Sequence, residues 1–250
     1  MLAYILTGYD FGYTWPWTHG HLVVFGILAL AARLGWKRLP WWITGLLAAL
    51  AAWALAGFLI VQFVFGFNSL MAMPTEHFMA GRRGKVLDIG CGSGRTTIMV
   101  GTARPGVEIT ALDNFSADYI KNNGETLLRR NLTIAGINDR VKMMQADMRQ
   151  IPAADGAFDG VVSSYAIDHL NRKGIEQTLG EVSRVMKPEG EFLLMIIKAD
   201  NWMKVAFGPM LLHARGVPSD FWPKQLEAAH LTVVEEGTQP GTAYYVCRKP

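Results

Sequence analysis

The sequence predicts an α/β domain carried behind a pair of apolar helices, and three observations predict it. From Lys85 onward, short runs rich in Val, Ile and Leu alternate with helix-period stretches, which implies a parallel sheet with helices on both faces. The first of these runs passes directly into a turn holding Gly90, Gly92 and Gly94, before a helix opens at Arg95. Up to Phe67, in contrast, the only charged residues are Arg33, Lys37, Arg38 and Asp10, and most of the eight tryptophans fall there.

Composition narrows the function classes. The 24 basic and 21 acidic side chains leave a net charge of only +3, and no Lys/Arg stripe interleaved with aromatics appears, so nucleic acid is not an expected partner. Cys91 and Cys247 lack metal-ligand spacing, which fits a reduced compartment and gives no expectation of a metal.

Residues 1–20 are aromatic (Tyr4, Tyr9, Phe11, Tyr13, Trp15, Trp17) and lack the basic start and small-residue cleavage site of a signal peptide; such aromatics suit a membrane interface. A first apolar helix is expected over about 15–36, although its unbroken apolar run, Leu22 to Ala32, is short and needs His19, His21 and the flanking aromatics to span. The second, Trp41 to Phe67, is about 27 residues without a charge, long enough for a bilayer core of about 30 Å. Its small residues Gly45, Ala49, Ala52 and Ala56 recur at helical spacing and would let a neighbouring helix approach. Residues 1–67 thus read as a transmembrane hairpin, with Leu34 to Pro40 as its turn. The basic residues are balanced, Arg33, Lys37 and Arg38 in the turn against Arg82, Arg83 and Lys85 after the second helix, so charge does not choose an orientation. A hairpin that dips into one leaflet fits equally well.

Residues 68–83 read as a linker, apolar through Met71, Met73, Phe78 and Met79, with a helix start at Pro74, Thr75 and Glu76. Strands are then expected at Lys85–Gly90, Glu108–Leu112, Val141–Gln145, Phe158–Ser163 and Glu191–Lys198. Helices are expected at Arg95–Ala103, Ser116–Ala135, Ile175–Met186 and Pro223–Ala229, and Leu231–Glu235 with Ala243–Arg248 closes as a hairpin. Residues 84–250 form one globular domain on this reading.

The glycine spacing, G-x-G-x-G behind an aspartate, departs from the G-x-G-x-x-G of dinucleotide sites. With the strand before it, VLDIGCGSG resembles motif I of the class I S-adenosylmethionine-dependent methyltransferases, of the type 11-like group. The resemblance implies a Rossmann-like, mostly parallel seven-stranded sheet in the order 3-2-1-4-5-7-6, a cofactor S-adenosyl-L-methionine, and a linker segment that helps cover it. It also implies that Gly90, Gly92 and Gly94 hold the methionyl portion, with Asp88 reaching its amine. Asp113, about 19 residues past Gly94 with Asn114 beside it, ends the second strand, where a carboxylate accepts hydrogen bonds from a ribose diol. Asp147 matches the family's adenine-contacting acid, with the Met148 backbone beside it and a nearby apolar side chain to cover the ring, and Ser163 and Ser164 end the fourth strand where the family's backbone lines the path to the acceptor.

Methyl transfer needs alignment and the exclusion of water, and a base only where the acceptor must lose a proton. Tyr165, Asp168 and His169 follow the fourth strand where such a base would stand; His169 titrates near neutrality and is the first choice, against the alternative that it caps the next helix. A nucleophilic role for Cys91 lacks a base partner. The Asn-Pro-Pro-Tyr signature of amino-methylating nucleic-acid enzymes is missing from the fourth strand's end. The apolar insertion 199–219, with Trp202, Met203, Val205, Phe207 and Met210, either roofs a pocket or settles beside the hairpin, and both point to a hydrophobic acceptor. The expected protein is therefore a membrane-anchored methyltransferase, its catalytic domain facing the cytoplasm where the cofactor is made, acting on a thiol, quinol or lipid amine. The alternative is a membrane-bound scaffold or sensor that binds the cofactor without turnover.

Overall fold

The structure, a computed structural model, describes residues 8–211, 218 and 220–250. Of the residues singled out above, Tyr4 and the insertion's last segment, 212–217 and 219, lie outside the described residues. The described chain forms two compact units, one of 8–12, 68–198 and the C-terminal stretch, the other of 13–67 and 199–211.

The second unit is a helical hairpin. Helix α1, Trp15–Gly35, starts with Pro16, whose missing N–H costs nothing in the first turn. Helix α2, Trp41–Ile60, runs on through one π-helical turn, Val61–Phe65, and stops at Gly66 in the left-handed conformation (φ 51°), whose N–H bonds the Val61 carbonyl at 3.0 Å. Both helices are long and apolar enough to cross a membrane by length and composition. The buried small residues of α2 are Ala51, Ala54 and Gly57. The expected stripe of Gly45, Ala49, Ala52 and Ala56 is not the packed one: Gly45, Ala49 and Ala52 face outward. The packed face lies one helical step round, because Gly57 makes room for His21, whose ring would stand 2.6 Å from a Cβ at that position.

The insertion after the fifth strand belongs to this unit. Helix α6, Asn201–Leu211, kinks at Phe207 (φ −126°, ψ 19°), and Ala206 and Phe207 bury against Ile60 and Val61. The Phe207 ring stacks on Phe65 and Phe67, and His21 Nε2 lies 2.7 Å from the Ala206 carbonyl. The described part of the insertion lies beside the hairpin, one of the two roles expected for it.

The first unit is a seven-stranded sheet in the order β3-β2-β1-β4-β5-β7-β6. Its strands are β1 Gly84–Ile89, β2 Val107–Asp113, β3 Val141–Gln145, β4 Phe158–Ser164, β5 Met186–Ile197, β6 Thr232–Gln239 and β7 Thr242–Arg248. The pairs β1–β2, β2–β3, β1–β4 and β4–β5 are parallel, and β7 runs antiparallel to both neighbours. On one face, Leu87, Ile89, Val161 and Leu194 pack with Leu179 and Val182 of α5 (Arg172–Val185) and Trp222 and Leu226 of α7 (Phe221–Ala228). Asn171 caps α5, accepting from Gly174 N–H at 2.9 Å. The other face carries α3, Arg95–Ala103, in which Gly101 lets Ile109 of β2 and Ile137 approach.

Two expected helices differ. The one placed at 116–135 forms only as α4, Glu125–Ile134. The Asn114 side chain instead folds the chain after β2 into a local turn by accepting from Ser116 N–H, and Phe115 and Asn122 take positive φ, which helix cannot contain. No helix starts at Pro74: Thr75 Oγ donates to Glu235 and accepts from His77 N–H, while the Glu76 carbonyl takes a bond from Arg104. In the linker, Phe78 and Met79 are fully buried against Gly160, in the amino-terminal half of β4, and Met79 N–H donates to the buried Glu191.

Candidate active site

Parallel strands direct their carboxyl ends to one edge of the sheet, and in this strand order β1 and β4 are the neighbours between which the chain reverses direction across the sheet. The residues expected to hold the cofactor lie at that edge. After Ile89 the chain turns through Gly90, Gly92 and Gly94, with φ of 76°, 49° and 91°. The turn is tight because Gly90 and Cys91 N–H both bond the Leu112 carbonyl at the end of β2. Side chains are also excluded by space. A Cβ on Gly90 would stand 2.2 Å from Ala166 Cβ and 3.3 Å from Met148 Cε, and one on Gly94 would stand 2.5 Å from Leu128. The ends of β1, β3 and β4 therefore converge on Gly90, against which Ala166 and Met148 stand.

Asp88 lies beneath the turn, with no exposed surface. One oxygen accepts from Thr97 Oγ at 2.6 Å, and the other, Oδ1, has no partner. Burial, aided by the neighbouring charge of Asp113 and opposed by the Thr97 bond, pushes its carboxyl up to about 7. A buried carboxylate with one unsatisfied oxygen beside a glycine turn fits the ammonium group of a methionyl moiety.

Asp113 is already engaged with backbone: Oδ2 accepts from Gly92 N–H at 2.7 Å and Oδ1 from Phe115 N–H at 2.5 Å. It thereby ties the end of β2 to the glycine turn while keeping lone pairs for a diol. Asn114, exposed, spends its oxygen on Ser116. Asp147 is held in a fork by Arg149, which keeps its carboxyl below the usual range. An adenine amine at Asp147 would have to share it with that guanidinium. Ser163 is buried and donates to the Ile89 carbonyl at 3.0 Å, pinning β4 to β1, and the buried Ser164 hydroxyl has no partner.

The three residues proposed for proton transfer separate. Tyr165 (φ 52°) aims its hydroxyl at Thr242 Oγ on β7, at 2.5 Å. Asp168 accepts from Ile197 N–H at the end of β5, and burial raises its pKa. Both are drawn to the β5–β7 side of the sheet. His169 is exposed, its ring 5.9 Å from that of Tyr119 in the segment after β2. Cys91 is buried, and burial with the charges of Asp88 and Asp113 raises its thiol pKa, so no thiolate forms there.

One part of the site was not foreseen. Residues 8–12, read from sequence as membrane-interface aromatics, cross the glycine turn as a strap. Phe11 is fully buried and its carbonyl accepts from Ser93 Oγ, inside the G-x-G-x-G turn, at 3.1 Å. Asn131 of α4, also fully buried, donates to the Asp10 and Ser93 carbonyls at 2.6 and 2.9 Å and accepts from Asp10 N–H. Lys121 N–H closes the strap on the Gly12 carbonyl at 2.9 Å. The available signal was Asp10 between Gly8 and Gly12, a turn-forming acid in a stretch otherwise suited to lipid.

Comparison with known proteins agrees with this architecture. Residues 86–190 match the model of a methyltransferase domain. Among curated proteins, the chain is 29% identical over 175 residues to the sterol 4-C-methyltransferase strm-1 of Caenorhabditis elegans, covering 64% of this chain and 49% of that protein. It is 30% identical over 124 residues to the demethylmenaquinone methyltransferase of Thermus thermophilus, covering 50% and 51%. The chain thus spans about half the length of these relatives. A solved geranyl diphosphate methyltransferase in complex with S-adenosylmethionine superposes with a TM-score of 0.50 at 13% identity, covering 66% of this chain and 77% of that one, and shares the fold. Residues 86–190, which match a methyltransferase domain, thus carry the glycine turn and the strand order of the class I S-adenosylmethionine-dependent methyltransferases, the family to which this chain is similar and whose cofactor is S-adenosyl-L-methionine.

Proposed function

We propose that the protein is a membrane-anchored methyltransferase that transfers a methyl group to a hydrophobic, lipid-like acceptor, a quinol, lipid amine or thiol reached from the bilayer. The observation that carries this reading is the placement of α6: the segment leaving the carboxyl end of β5 packs Ala206 and Phe207 against the π turn that ends α2. The segment that follows an acceptor-facing strand end is thus built into the apolar hairpin. The relatives named for sterol and demethylmenaquinone methylation point to the same acceptor class. The catalytic domain faces the cytoplasm on this reading, where the cofactor is made.

Bound S-adenosylmethionine supplies a methyl group on a sulfonium, an electrophile that needs no further activation. The chain's part is to hold and to shield. Asp88 takes the cofactor's ammonium, Gly90, Gly92 and Gly94 admit its chain, Asp113 with Asn114 takes the ribose, and Asp147 and Met148 bracket the adenine. Ser163 and Ser164 line the passage towards the acceptor. Where the acceptor carries a proton, His169 is the base. Its imidazole is exposed, whereas Tyr165 is held by Thr242 and Asp168 accepts from Ile197 N–H through one oxygen while the other is buried without a partner. Tyr165 and Asp168 then act by fixing the loop that carries His169.

The test is turnover by the full chain in lipid vesicles, with demethylated quinol, lipid amine and alkyl thiol offered in turn. S-adenosylhomocysteine should form with one of them. Cofactor binding without product from any of the three would favour the scaffold or sensor reading. For a proton-bearing acceptor, His169→Gln should lower kcat about 100-fold while leaving cofactor affinity unchanged.

A further inference from the structure

The hairpin turn joining α1 to α2 encloses a cleft of about 600 Å³ that the transfer reaction does not use. Its lining is two-sided. Arg33, Lys37 and Arg38 bring three cations, while Leu34, Trp36 and Ala48 bring apolar surface. No acidic residue occurs anywhere in 13–67, and none of the three cations is ion-paired among the described residues. The charge is therefore uncompensated by protein, in the segment of the chain least able to solvate it. Trp36 of the lining, and Trp41 and Trp42 at the start of α2, are 75%, 86% and 58% exposed. Just inside them the helices turn Leu30, Leu34 and Leu46 outward, each more than half exposed.

Aliphatic side chains on the helices give way at the turn to indoles and to Lys37 and Arg38, with Arg33 in the last turn of α1 long enough to reach the same level, which follows the order of a leaflet, hydrocarbon, then interface, then phosphate. A soluble anion would have no use for the indole ring or the apolar wall, whereas a phospholipid fills all three zones at once. We infer that the hairpin turn is a binding site for the phosphate headgroup of an anionic phospholipid, held by Arg33, Lys37 and Arg38, with Trp36 and Leu34 against its glycerol and upper chain. The inference rests on the membrane reading above. It adds a lipid preference to an anchor that otherwise needs only apolar surface.

The full chain, reconstituted in phosphatidylcholine vesicles, tests it through quenching of tryptophan fluorescence by brominated lipid. Brominated phosphatidylglycerol should quench more than brominated phosphatidylcholine at equal mole fraction. The excess corresponds to a preference of roughly fivefold per cation and on the order of a hundredfold for all three. Arg33→Gln, Lys37→Gln and Arg38→Gln together should remove the excess and leave quenching by phosphatidylcholine intact. Arg33→Lys with Arg38→Lys should keep it, which separates charge from fold. Equal quenching by the two lipids would overturn the inference and leave the anchor standing. Loss of the excess on adding millimolar inorganic phosphate would also overturn it, in favour of a soluble-anion site. Quenching by neither lipid would remove the membrane reading and the inference with it.

Discussion

The two units use the same apolar residue types and turn them in opposite directions. In the sheet unit, Leu87, Ile89, Val161 and Phe192 have no exposed surface, and the buried carboxyls Asp88 and Glu191 are the exceptions in an otherwise apolar core. In the hairpin unit, Ile27 and Leu34 are each 63% exposed and Phe63 81%, with almost no polar side chain outside them. A soluble helix with this composition would be mostly buried; here only 17% and 28% of the two apolar windows are. The hydrophobic effect accounts for the first unit alone, since water around the second would face a continuous apolar surface of the kind that monomeric soluble proteins avoid. The sheet unit finds its solvent-excluded core within itself, whereas the hairpin leaves most of its apolar surface uncovered, as the proposed membrane anchor would.

The sharpest way to break this comparison is to damage each unit and read both functions. Asp113→Ala removes the carboxylate that holds Gly92 N–H and Phe115 N–H, and with it the proposed ribose contact. Titration calorimetry should show S-adenosylmethionine affinity falling about 100-fold or more, the loss of two charge-assisted hydrogen bonds, with membrane association unchanged. Asp147→Ala should cost about tenfold at most, because that carboxylate is already shared with Arg149. Equal losses in the two variants would show that the Arg149 fork opens for the cofactor.

In the second unit, Ile27→Lys places a charge near the middle of α1 on its exposed face. If that face meets hydrocarbon, the cost is about 2.5–3.5 kcal/mol, and alkali-resistant membrane association should drop steeply while cofactor affinity holds. If the face meets water, an exposed Ile-to-Lys change would stay within about 0.5 kcal/mol. Unchanged membrane association would therefore count against a lipid-facing α1.

How legible each unit was in the sequence follows from the same contrast. Sheet order and the glycine turn could be anticipated because DIGCGSG and the alternation of apolar runs are local signals, set by φ requirements and strand burial. The hairpin's existence was equally plain from its missing charges. What local pattern could not supply was pairing over long separations. The strap at Asp10 and Phe11 depends on Asn131, over a hundred residues away, and the choice of Ala51, Ala54 and Gly57 as the packed face depends on His21. The segment 114–124 has helical composition, yet Asn114 and two positive-φ residues override it. In the site, sequence located the acids correctly at strand ends but could not tell that Arg149 occupies Asp147, nor that Tyr165 and Asp168 face β7 and β5.

The sheet unit alone should carry a pH dependence. In the free protein Asp88 keeps its proton up to about pH 7, well above the value of an unfolded aspartate. Between about pH 4 and 7 the unfolded chain has lost this proton while the folded one holds it, so the contribution of Asp88 to stability falls as pH rises through that window. Cofactor binding runs the other way. An ammonium pairs with the ionised carboxylate, so below pH 7 binding must release the proton, and affinity should weaken about tenfold per pH unit. Calorimetry at pH 5.5 and 7.5 in buffers of different ionisation enthalpy would register both the change in Kd and the released proton. Asp88→Asn should flatten the profile. A wild-type affinity constant across this range would mean that the unpartnered Oδ1 does not meet the ammonium.

The smallest effect expected is at the strap, where the sheet unit runs by chain continuity into α1. Asn131→Ala leaves the Asp10 carbonyl, the Asp10 N–H and the Ser93 carbonyl without their shared partner. The cost should be about 1–3 kcal/mol, seen as a fall of roughly 2–10 °C in Tm, because solvent reaches part of Asp10 and can replace some of the lost bonds. Ser93 lies inside the glycine turn, so loosening the strap should also raise the cofactor Kd about threefold. Phe11→Ala, which empties a fully buried ring position on the same strap, should lower Tm further. Should Asn131→Ala lower Tm without touching Kd, residues 8–12 would be packing for α4 only; a rise in Kd in both variants would make them part of the cofactor site.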